Sequence, residues 1–157
     1  MRGIFSVLVE NKDGVLSQIS GLFARRGFNI DSLAVGETER HDISSMTIVS
    51  TGDNRTIDQI EKQLNKKVDV IKVRRLDETK CIEMEMMLIK VSYNATNRSS
   101  LIEICSVMGA KILHVSNKHL LIEIHDSPEV VENFISLVRP FGIVEVQRTG
   151  TVAMSKN

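Results

Sequence analysis

The stretch Asn11-Lys12-Asp13-Gly14-Val15-Leu16-Ser17, followed by Arg25-Arg26-Gly27-Phe28-Asn29-Ile30, decides the fold. It reads as the end of one strand, a glycine-bearing turn, an amphipathic helix, and the approach to the next strand. A helix start presents unpaired N–H groups and partial positive charge, so it suits a carboxylate. Gly14 removes the side chain that would crowd a ligand there. Val15 and Leu16 supply apolar neighbours. Asn29, next to Ile30, offers both an amide donor and a carbonyl acceptor, as does Asn11. Together these are the parts needed to hold a small apolar amino acid by its zwitterion. An ordinary turn with a helix cap would be written with the same residues.

Working outward, residues 3–10 form an apolar strand pattern. The first helix runs from about Val15 to Arg26, with Leu16, Ile19, Leu22 and Phe23 inward, and Gly27 ends it. Strands follow at about 28–37 and 43–51, joined by the polar stretch 38–42. Asn54 suits the cap of a second helix carrying Ile57, Ile60 and Leu64 inward, with Asp58 and Lys62 as an i, i+4 pair. A strand at 67–75 completes the order βαββαβ. Asp77-Glu78-Thr79-Lys80 is a charged break without an apolar anchor, and the order then repeats. A strand at 82–93 leads to a helix from Asn97 or Arg98 to Met108. A hairpin follows at 110–116 and 119–125. Ser127-Pro128-Glu129 starts the fourth helix, with Val131, Phe134, Ile135 and Val138 inward, and a strand at 142–149 follows. Residues 151–157 read as a short tail. The expected fold is therefore α+β, two tandem ferredoxin-like βαββαβ domains over 1–76 and 82–157. A small sheet with one uncovered face invites association, so at least a dimer is expected.

Composition narrows the function classes. Twenty basic residues balance twenty acidic ones, which argues against a nucleic-acid surface. Aromatics are only 4% of the chain, too few for base-stacking strands. No apolar run is long enough to span a bilayer, and the first residues lack a signal-peptide pattern, so a cytoplasmic protein is expected. Cys81 and Cys105 have no zinc spacing, and Cys105 falls on an apolar helix face. His41 lies in a loop, while His114, His119 and His125 spread over a hairpin without a ligand pattern. No nucleotide loop and no nucleophile–histidine signature is present, so neither catalytic residues nor a metal site are expected.

The N-terminal half resembles the ACT domain of the small, regulatory subunits of acetolactate synthase. The matching stretches are Leu8 to Lys12 with Gly14 to Leu16, then Gly21-Leu22-Phe23 with Arg25 to Ile30, and Ser32 to Gly36. They continue through Met46 to Val49, Gln59 to Leu64 and Val68 to Val73. Leu88 to Val91 and Arg148 to Met154 extend the resemblance into the second half. Asp13, Ser45, Met84, Gly109 and His114 depart from residues common in that family. The resemblance implies an ACT domain over 1–76 for effector binding and dimerisation, and a regulatory-subunit domain over 82–157. It implies a non-catalytic homodimer partnered with a large catalytic subunit, which carries thiamine diphosphate, magnesium and FAD. It further implies activation of that subunit and feedback inhibition by a branched-chain amino acid, chiefly valine. The effector would sit between copies, against Asn11, Gly14, Val15, Leu16, Asn29 and Ile30. A free-standing amino-acid sensor acting on another partner is the alternative.

Overall fold

The computed structural model describes residues 1–157 and divides them into two compact units. The first comprises Met1–Ile82 together with Thr151–Asn157; the second is Glu83–Gly150. The expected boundaries at 76 and 82 differ from these. Asp77–Lys80 is a tight turn within the first unit, in which the Asp77 carboxylate accepts from Thr79 N and Oγ1 at 2.9 and 2.7 Å. Short charged segments bend well, and this one bends without ending a unit.

In the first unit, β1 (Arg2–Glu10), α1 (Val15–Arg26), β2 (Ser32–Glu37), β3 (Ile43–Thr51), α2 (Asn54–Asn65) and β4 (Val70–Leu76) follow in the expected βαββαβ order. The antiparallel sheet runs β2-β3-β1-β4. Alternation on β1 sends Phe5, Val7 and Val9 to a helix-covered core with Met46, Ile48, Ile57, Ile60 and Leu64. From α1 the core takes Val15, Ile19, Leu22 and Phe23, whereas Leu16 is 47% exposed. The inward stripe thus starts at Val15 rather than Leu16, because positions 15, 19, 22 and 23 share one face of the helix.

Other local differences have equally local causes. Gly27 ends α1 at φ 67°, and Phe28 turns back edge-on to Phe23, with ring centroids 6.0 Å apart. Residues 28–31 are therefore a link, and β2 begins at Ser32. Asp53, not Asn54, caps α2, accepting from Thr56 N at 2.7 Å. Asp58 reaches Arg75 at 2.9 Å rather than its helical neighbour Lys62.

The tail also differs from expectation. Residues Val152–Ser155 form a strand, β9, belonging to the first unit. Thr151 N donates to Ser32 Oγ at 2.8 Å and Ala153 N to Thr47 Oγ1 at 3.4 Å. Ala153 completes a second small apolar cluster with Ile4, Val49, Leu76 and Cys81, on the sheet face away from the helices. The alternating Val152-Ala153-Met154 suits one-sided burial, but what it covers lies far away in sequence.

The second unit repeats the order with β5 (Cys81–Ser92), α3 (Arg98–Met108), β6 (Lys111–Val115), β7 (His119–Asp126), α4 (Pro128–Val138) and β8 (Ile143–Arg148). β5 begins in the last residues of the first unit. The strands run β6-β7-β5-β8, all antiparallel. Met87, Ile89 and Val91 meet Leu101, Cys105, Val131, Phe134 and Val138 in the core. Burial pushes the Cys105 thiol pKa up, keeping it protonated and inert. Ser127 caps α4 by accepting from Val130 N at 3.3 Å, with Pro128 in the first turn. The side chain of Glu85 is 4% exposed, and Arg148 forks between it and Glu132, meeting the latter at 2.6 Å. This pairing raises the Arg148 pKa, first through Glu85.

Candidate functional site

The turn after β1 is held on both sides. Glu10 N donates to Asp69 O at 2.9 Å, and Lys12 Nζ bridges Asp69 at 2.7 Å and Glu10 at 3.0 Å. The Asp69 partnership raises the Lys12 pKa, and Lys12 in turn holds the Asp69 carboxyl below its usual range. On the other side, Asn11 N donates to Asp42 O at 2.9 Å. The Asn11 Nδ2 group donates to His41 O at 2.8 Å and Glu37 Oε1 at 3.1 Å.

Beyond this braced turn, Gly14 adopts φ 85°, a conformation that favours glycine. A Cβ built there would meet nothing within 4 Å. No side chain caps the first turn of α1; Val15 N reaches Lys12 O at 3.5 Å, and no side chain takes up the turn's other N–H groups. Val15 is buried, which leaves only its backbone to a ligand, whereas the half-exposed Leu16 offers its side chain.

Asn29 and Ile30 lie elsewhere. Asn29 O accepts from Ser50 Oγ, and its Nδ2 donates to Asp31, whose other oxygen accepts from Thr51 Oγ1 at 2.6 Å. These partners sit at the far end of β3. Register places Glu10 opposite Ile43, but Ser32 opposite Val49 and Val49 opposite Ile4. Six residues of strand separate those levels, about 20 Å. Within one chain, then, Asn11, Gly14, Val15 and Leu16 come together, while Asn29 and Ile30 form a second group at the other end of the sheet.

Glu37, His41, Lys12 and Asp69 have no site role in the sequence reading. The signal was faint, because their roles arise only when the β2–β3 hairpin and the start of β4 fold back onto the end of β1. No group of three or more His, Cys, Asp or Glu side chains is placed to hold a metal ion. His41 pairs with Glu37 at 2.9 Å and His125 with Glu123 at 2.7 Å. No helix is long and apolar enough to cross a membrane.

Comparison with known proteins places this geometry in a family. Residues 5–72 match the model of the AHAS small subunit-like ACT domain, and residues 84–157 match that of the small subunit of acetolactate synthase. A probable acetolactate synthase small subunit of Archaeoglobus fulgidus is 46% identical over 98% of this chain and 96% of its own length. The chain belongs to the acetolactate synthase small-subunit family. The acetolactate synthase small subunit of Mycolicibacterium smegmatis is 46% identical, across 96% of this chain and 89% of that one. The crystal structure of the small subunit from Thermotoga maritima superposes with a TM-score of 0.91 at 41% identity, covering 99% of this chain and 97% of the other. The tandem of ferredoxin-like units, ACT-type in the N-terminal half, is thereby confirmed as the family's fold.

Proposed function

We propose that this chain is the non-catalytic regulatory subunit of a cytoplasmic acetolactate synthase. It binds a branched-chain amino acid, valine foremost, between two copies of its first unit. In doing so it imposes feedback inhibition on a large catalytic subunit that it otherwise activates. The carbon–carbon bond-forming chemistry, with thiamine diphosphate, magnesium and FAD, resides on that large subunit.

The observation that carries the reading is the uncapped first turn of α1 beside the open space over Gly14. The effector carboxylate meets the turn's N–H groups, as anions do at helix starts. Leu16 contributes to the apolar wall. The separation of Asn11 and Gly14 from Asn29 and Ile30 supports a shared site, since a second copy in antiparallel orientation brings the two groups together. A ligand at such an interface favours one mutual arrangement of the pair, which is a route for coupling to the large subunit.

The test is calorimetric titration of the purified chain with L-valine, L-leucine and L-isoleucine, followed by reconstitution with the large subunit. Saturable binding of one of them near one site per chain, two per interface, is expected, with inhibition of acetolactate formation over the same concentrations. A chain that binds none of the three refutes the proposal.

A further inference from the structure

The Asn11 amide has a fixed orientation. Its Nδ2 faces two groups that can only accept, His41 O at 2.8 Å and an oxygen of Glu37 at 3.1 Å. Flipping the amide would set its oxygen against both, so the nitrogen must point this way. Both amide hydrogens are then used, and Oδ1 is left as an acceptor without a partner. The acceptors are themselves held. Glu37 Oε2 lies 2.9 Å from His41 Nδ1. Thr38 N donates to Ile43 O at 2.9 Å, and Thr38 Oγ1 donates to Ile43 O at 3.0 Å and Arg40 O at 3.1 Å. Asn11 N is fixed to the same hairpin through Asp42 O.

We infer that Glu37 and the His41 carbonyl are positioning groups for the effector site: they lock the Asn11 amide so that its Oδ1 receives the ammonium of a bound amino acid. The inference rests on the function proposed above and deepens it. The site then divides its work. The first turn of α1 takes the carboxylate, and Asn11 Oδ1 takes the ammonium. Glu37 touches no ligand; its charge strengthens the bond from Nδ2 and fixes which face Asn11 presents.

The test is a double-mutant cycle in the full-length chain, read by calorimetry with L-valine. Glu37→Leu removes the acceptor, Glu37→Gln keeps one, and Asn11→Ala removes the presented oxygen. Glu37→Leu is expected to weaken L-valine binding about tenfold, the scale of one lost charge-assisted bond. Glu37→Gln should recover affinity to within about threefold, because a neutral acceptor oxygen remains. In the Asn11→Ala background, Glu37→Leu should have no further effect. 3-Methylbutanoate lacks the ammonium, so its competition, measurable or nil, should be equal in parent and variants.

Additive losses in the cycle would overturn the inference, as would failure of Gln to rescue, or a loss for 3-methylbutanoate parallel to that for valine. A parent chain that binds no branched-chain amino acid overturns the proposed function itself, and the positioning role falls with it. A parent that binds while Glu37→Leu binds equally well overturns the positioning role alone.

Discussion

Replacing Gly14 by aspartate should separate folding from effector binding. The open space over Gly14 means that a new side chain meets no clash. The intrinsic cost is that of an L-residue at φ 85°, about 1–2 kcal/mol and at the lower end for aspartate. Against it stands a gain of up to about 1 kcal/mol, because the new carboxylate can cap a first turn that has no side-chain cap. The net change is within about 1 kcal/mol, a melting shift of no more than roughly 4–8 °C for a domain of this size. Binding fares differently. The carboxylate occupies the N–H groups a ligand needs and repels the ligand's own carboxylate. At about 4 Å and an effective dielectric near 20, that repulsion is about 4 kcal/mol, close to a thousandfold in affinity. Gly14→Ala serves as control: it bears the backbone strain without a cap, so it should melt lower than Gly14→Asp yet keep more affinity. Differential scanning calorimetry and L-valine titration on the same samples measure both quantities. If Gly14→Asp binds L-valine within threefold of the parent, or melts well below Gly14→Ala, the reasoning is wrong.

Asn29→Leu keeps the side-chain size at an exposed position but removes its hydrogen-bonding groups. L-Valine affinity should fall by about 1–3 kcal/mol with the fold retained, and unchanged inhibition curves would remove Asn29 from the site. Arg148→Met leaves the buried Glu85 carboxylate without its main partner and should cost the second unit about 3–5 kcal/mol in urea unfolding. Adding Glu85→Leu should recover most of that loss, and a double variant no more stable than the single would refute the buried-charge account. Truncation after Gly150 uncovers Ile4, Val49 and Leu76 and should destabilise the first unit by about 2–4 kcal/mol, the scale of re-exposing one or two core side chains; a fragment of residues 1–76 should show the same weakness. Asp69 has a folded pKa below its usual 3.8, so its ion pair with Lys12 stabilises the fold above that value and is lost as pH falls through the lowered one. Lys12→Met abolishes the difference, and its acid-unfolding midpoint, followed by circular dichroism, should rise.

The element order was legible because each unit writes its helices and strands locally. Ile57, Ile60 and Leu64 keep helical spacing, and Phe5, Val7 and Val9 alternate, so period alone assigns both. Capping was less legible: Asp53 and Asn54 are both good caps, and only backbone geometry at Asp53 separates them. The turn at Gly14 could be read because a positive φ selects glycine. What could not be read were contacts between distant residues. Nothing near Asn11 in sequence announces that Glu37 and His41 will orient its amide. Nothing near Ala153 announces Ile4 and Val49, so β9 passed for a tail. The same blindness hid that the first compact unit runs on to Ile82 and takes in residues 151–157, since a charged turn and a true linker have similar composition.

The way the first unit is assembled has a consequence for biosynthesis. Its last strand lies after the whole of the second unit, so the first unit cannot be completed until the second has been made. At about 5–20 residues per second, the ribosome needs roughly 4–15 s to travel from residue 83 through the closing strand at Ser155. For that interval Ile4, Val49 and Leu76 sit on an uncovered sheet face in a nascent protein whose other core can already have closed. Slow translation of the second half would lengthen this exposure, and crowding of nascent chains on one message would bring such faces together. The closing strand thus makes quality control of the N-terminal unit depend on faithful synthesis of the C-terminus. A truncated product would carry an exposed apolar face that chaperones and proteases recognise.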